Sequence, residues 1–167
     1  MLVSEDLVEA TWKKVAAMDG KAALAIQKNC GKSQPELTGF VIGWMHDLRP
    51  EAAGLGLYVM VVVFEMFRAT GEKIRKAPEN SVMRHWKRNA ELVARLEATG
   101  AEARTLSAAN IPTEERHVAQ YVIDALAEEP EDEPVHLTAK EFWHLFATLM
   151  TLVDTLHDMA AQAAPRT

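Results

Sequence analysis

The sequence predicts an all-α protein, a single-domain bundle of six or seven helices around a central hydrophobic helix at about residues 51–68. Three observations predict it. Helix start and stop signals recur along the whole chain. Strand-like alternation bounded by hairpin turns does not occur. An apolar run of thirteen residues, Ala52 to Phe64, is shorter than the roughly twenty needed to cross a bilayer, so the surrounding helices are expected to cover it. The length of 167 residues and hydrophobic fraction of 49% suit one helical domain, 1–167, with a sizeable core.

The elements follow in order. Ser4 caps a first helix from Glu5 to about Met18, with Glu5 and Asp6 in its first turn. Asp19-Gly20 interrupts the pattern, and a short second helix ends at Cys30 with Gly31 as its left-handed stop. Ser33-Gln34-Pro35-Glu36 combines a capping serine, a first-turn proline and a glutamate three residues on, and starts a third helix reaching about Asp47. Arg49-Pro50-Glu51 starts the fourth, which stops near Gly71. Val59 to Phe64 has strand-like composition, but its helical flanks and the lack of a partner strand decide for helix.

Pro78 and Ser81 precede the fifth helix, which ends at Thr99-Gly100. Residues 101–111 form an irregular connection. Pro112-Thr113-Glu114-Glu115 opens the sixth helix, which runs to Glu129, and Pro130 to Pro134 is an acidic loop. Thr138-Ala139-Lys140-Glu141 is a second capping box, and the last helix runs to about Gln162. On that helix Phe142, Leu145, Phe146, Leu149, Leu152, Val153, Leu156 and Met159 form one face. Glu141, His144, Thr148, Thr151, Thr155, Asp158 and Gln162 form the face expected to meet solvent.

Charge and cysteine content narrow the function classes. The net charge of -6 argues against a dedicated nucleic-acid binder. It is uneven: residues 68–95 are net +5, and residues 96–167 are net -9. The plain reading is that these two segments pack near each other. One cysteine, Cys30, rules out an intrachain disulfide and points to a reducing compartment. With no signal-peptide pattern and no lipidation motif, the cytoplasm is the expected location and no membrane partner is expected.

Four of the six histidines follow an acid by three residues: Glu114 with His117, Glu133 with His136, Glu141 with His144 and Asp154 with His157. On a helix this spacing sets carboxylate and imidazole on one face, the ligand arrangement of metal-carboxylate bundles. An antiparallel sixth and seventh helix would bring Glu114, His117, Asp154 and His157 to similar levels, and Glu65 of the fourth helix could add an oxygen. The helical wheel opposes this. Asp154 lies about 140° and His157 about 80° from the middle of the apolar face, at 100° per residue. The pairs therefore read as solvated surface contacts, and Glu65 as a bundle-edge partner of Arg68.

The fifth helix carries Arg84, Lys87, Arg88 and Arg95, a basic stripe that could receive an anionic ligand or nucleic acid. Trp86 is placed opposite them, on the buried face with Val82, Ala90 and Val93. No phosphate-binding glycine loop, nucleophile elbow or zinc-type cysteine pair occurs, and no catalytic residue is assigned. Trp12, Trp44 and Trp143 with eight methionines suit a core or an interface. The favoured expectation is a non-catalytic, regulatory or protein-binding helical module that can pair with its own copy as a homodimer. The alternatives are a divalent-metal carboxylate/histidine protein and a binder of anions through the fifth helix. No cofactor is expected under the favoured reading.

Overall fold

The computed structural model describes residues 1–128 and 136–163, with the side chains of 162 and 163 excepted. Among them are seven α-helices and no strand: α1 (Glu5–Ala16), α2 (Gly20–Ser33), α3 (Pro35–Met45), α4 (Pro50–Ala69), α5 (Glu79–Ala98), α6 (Arg116–Ala127) and α7 (Ala139–Ala163). The chain is an all-α bundle in one compact domain. Two single-turn 3-10 helices, Ala103–Thr105 and Ala108–Asn110, occupy the connection between α5 and α6.

Several boundaries follow the local chemistry. The Ser4 hydroxyl accepts from the Leu7 amide and Asp19 from the Ala22 amide, so α1 and α2 each begin on a side-chain cap. The box at Thr138 closes in both directions: Thr138 Oγ1 accepts from the Glu141 amide at 3.1 Å and Glu141 Oε1 from the Thr138 amide at 2.9 Å. Gly71 and Gly100 adopt φ of 76° and 75° just beyond α4 and α5, a region that glycine enters without a Cβ clash.

Three expectations change. Gly31 does not stop α2, which continues to Ser33. Ser33 does not cap α3, because its hydroxyl turns back to the Asn29 carbonyl at 2.8 Å. Gln34 takes the cap position and uses its amide for a longer reach. Its Nε2 donates to the Arg75 carbonyl and its Oε1 accepts from the Ala77 amide, tying the α4–α5 connection to the start of α3. The sixth helix begins at Arg116, four residues after Pro112, because Thr113 Oγ1 holds the Glu115 amide in a turn. The acidic loop and Glu133 lie outside the described residues.

The centre of the bundle is shared. From Val59 to Phe67 every residue of α4 is buried, as its composition requires, whereas Gly54 and Tyr58 in its first half are exposed. By length and composition α4 could cross a membrane, with a mean hydropathy of 1.6, but 61% of that window is buried inside the protein. The other buried axis is α7, which packs against α3, α4, α5 and α6. Thr148, Thr151 and Thr155, expected at the solvent face, are each 0% exposed. Thr148 and Thr151 satisfy their hydroxyls on the carbonyls of His144 and Ala147, four residues back, which makes burial inexpensive.

Candidate functional site

On α5 the expected inner face holds at Val82 and Val93, but its centre differs. Its buried residues are Ser81, Val82, His85, Asn89, Leu92 and Val93, so the inner stripe carries an imidazole and a carboxamide. Trp86, expected at the middle of that stripe, sits one residue round the helix and is only half-buried. The polar inner residues have partners on α7. Asn89 Nδ2 lies 3.0 Å from Asp154 Oδ2 and 3.4 Å from Thr151 Oγ1. His85 Nε2 lies 2.7 Å from Asp158 Oδ2, which also faces Arg84 at 3.7 Å. A buried polar group needs such partners, and these fix the rotation of α5 on α7. His85 Nδ1 and Thr155 Oγ1 are buried without one among the described residues.

On the other flank of α7, His157 Nδ1 meets Glu115 Oε1 at 2.8 Å. Glu115 is 0% exposed and also accepts from the backbone amides of Leu2 at 2.6 Å and Val3 at 3.2 Å. Burial pushes the Glu115 carboxyl up, but His157 and the two amides more than reverse it, and its pKa is lowered. The hydrogen bond to Glu115 raises the pKa of His157 against the opposing effect of burial. Glu115 thereby orients the imidazole and leaves Nε2, across the ring, as its available nitrogen.

Between these clusters runs a cleft of about 260 Å³, lined by His85, Arg88, Pro112, Thr113, Glu114, Asp154, His157 and Asp158. Burial raises the pKa of Asp154, opposed by its bond to Asn89 and by the charges of His85 and Arg88. Chemically, the cleft offers an oriented imidazole, a half-buried carboxyl group and charges of both signs at its rim.

The structure therefore brings Glu114, Asp154 and His157 together, with Arg88 from the basic stripe beside them. Asp154 and His157 are half-buried against neighbours, not solvated as the wheel implied, because α5 and α6 both flank α7. Glu65 is engaged elsewhere. It is 3% exposed and held by Arg68 Nε at 3.1 Å and Lys14 Nζ at 3.7 Å. His117 is half-buried and does not line the cleft. Among the described residues no group of three or more His, Cys, Asp or Glu side chains is placed to hold a metal ion. The pair Glu141–His144 is split: Glu141 binds Arg49 and His144 Nε2 meets the Trp44 carbonyl. The sequence reading missed His85, Asn89, Glu115 and Asp158 as site residues. His85 and Asn89, one turn apart between Val82 and Leu92, were the available signal.

One strip of the outer side of α5 is apolar. Met83, Trp86, Ala90 and Ala94 border a shallow groove with Lys87 and Glu91 at its edges. Trp86 continues into α3, 4.5 Å from Trp44 and 5.5 Å from Phe40 between ring centroids. Met83 is 45% exposed and Trp44 39%. Trp143, by contrast, is buried against Phe142 and Phe146, so the tryptophans divide between core and surface. Arg84, Lys87, Arg88 and Arg95 are all exposed. Comparison of the chain with protein-family models, curated proteins and solved structures found no match.

Proposed function

We propose that this protein is a helical protein-binding module of the cytoplasm that pairs with a second copy of itself through the outer face of α5. The observation that carries the reading is the stripe Met83, Trp86, Ala90 and Ala94, spaced by 3, 4 and 4 residues, with Met83 and Ala94 exposed and Trp86 and Ala90 half-buried along the groove. That spacing is the seam of a helix that packs against another helix. The inner face of α5 is already occupied by α7, so the outer stripe is a second seam.

Self-pairing suits its shape and charge. Let two antiparallel copies of α5 cross at Ala90. Trp86 then meets Ala94 of the other copy, large against small, and Lys87 lies within about one turn of the other Glu91. Specific interfaces bury about 800 Å² a side, more than one stripe provides. Phe40 and Trp44 widen the apolar face, and tryptophan and methionine are enriched in interface centres.

Sedimentation equilibrium tests the proposal. The wild type should be a dimer at micromolar concentration. Ala94→Glu, an exposed change, should leave it monomeric with the fold intact. Lys87→Glu should weaken pairing, and Lys87→Glu with Glu91→Lys should restore it. A wild type that stays monomeric near millimolar concentration, or a dimer indifferent to Ala94→Glu, would overturn the reading.

A further inference from the structure

The polar cleft on the inner side of α5 is separate from the pairing face, and its lining is mixed in charge. Arg88 on α5 and Glu114 ahead of α6 are both exposed at its rim and make no ion pair among the described residues. On the floor, Asp158 is occupied by His85 and Arg84. Asp154 is not. Its direct partner is the neutral amide of Asn89, and no cation stands within ion-pair distance of it among the described residues. His157 is anchored through Nδ1 and has Nε2 to offer. The wall also includes His85, 3% exposed, with a nitrogen that has no hydrogen-bond partner among the described residues.

A ligand of one charge fits this lining badly. An anion attracted by Arg88 and His157 would face the carboxylates of Glu114, Asp154 and Asp158. A simple cation would face Arg88 and two imidazoles. A molecule with both charges a few ångströms apart meets groups of the opposite sign for each. The cleft is about 260 Å³, below the roughly 300–1,000 Å³ common for drug-sized ligands, so the molecule is small. We propose that this cleft binds a small zwitterion, a free amino acid or a molecule with the same paired ammonium and carboxylate. Arg88 and His157 Nε2 are the groups that attract its carboxylate, and Asp154 and Glu114 those that attract its ammonium.

The test is thermal denaturation and titration calorimetry of the full chain with each of the standard amino acids, beside acetate and ethylammonium as its separate charged halves. At ten times its dissociation constant a bound amino acid should raise Tm by about 3–6 °C. Acetate or ethylammonium at the same concentration should not. Arg88→Gln and Glu114→Gln alter exposed side chains and each should weaken binding about tenfold or more, the value of a hydrogen bond to a charged group. The proposal is overturned if no amino acid binds, if one charged half alone binds as well as the whole, or if either variant keeps the wild-type affinity.

Discussion

Replacing Glu115 with alanine removes the acceptor of three hydrogen bonds from the interior of the protein. The Leu2 and Val3 amides lose their partner, and His157 loses the carboxylate that holds it. Hydrogen bonds to a charged group contribute about 1.5–3 kcal/mol each, but Leu2 is only half-buried and water can replace its bond. Val3 is 0% exposed, so its amide must either stay unsatisfied or carry the segment out into solvent, exposing the valine. Breaking a buried pair from one side costs about 3–5 kcal/mol. We expect that loss in urea denaturation, with Tm lower by roughly 6–20 °C. The pH profile should change as well. The depressed pKa of Glu115 supplies stability above its ordinary value of 4.5, lost as pH falls through the folded value. The raised pKa of His157 supplies stability that is complete below 6.5 and lost as pH rises through the folded value. The wild-type clamp is thus strongest between those limits, and Glu115→Ala should flatten the decline on the alkaline side. A loss below about 1 kcal/mol, with the Leu2 and Val3 amides still protected from hydrogen exchange, would refute the reasoning.

Two glycines of α4 should respond oppositely to alanine. Gly54 is exposed with nothing within 4 Å of an added Cβ, so Gly54→Ala should stabilise by about 0.5–1 kcal/mol in thermal denaturation. At Gly56 that Cβ would stand 2.7 Å from both Leu145 Cδ2 and Met45 Cε, and crowding should outweigh propensity, for a net loss of about 1 kcal/mol. Arg49 holds both oxygens of Glu141, and together with the Thr138 amide it brings that carboxyl down to about 2. In an NMR titration, Arg49→Ala should move Glu141 back toward 4.5, and an unchanged value would discount the contact.

The bundle was legible because its signals are local. Caps such as Ser4 and Thr138, stops such as Gly71 and Gly100, and the apolar run of α4 each act within a turn or two of themselves. Apart from the boundaries at Gly31, Ser33 and Pro112, the errors concern which way a helix faces, which depends on neighbours. On α7 the threonines looked like a solvent face, but three buried hydroxyls in a row cost little when two of them close on their own backbone. On α5 Trp86 outweighed His85 and Asn89 in any hydrophobic count, yet the polar pair went inward because Asp154 and Asp158 were there to receive it. The acid–histidine spacing drew attention to Asp154 and His157. Their actual partners, Asn89 and Glu115, lie 65 and 42 residues away, beyond any periodicity.

The two-sided character of α5 bears on how the protein settles into one arrangement. Burial of apolar surface is non-directional and would accept this helix turned by a quarter so that Trp86 faced inward. Such a turn would strand an imidazole and a carboxamide against nothing that could answer them, and leave two aspartates of α7 without their donors. The hydrogen bonds add little to how firmly α5 is held and much to which orientation is permitted. They keep the tryptophan side available to the outside world.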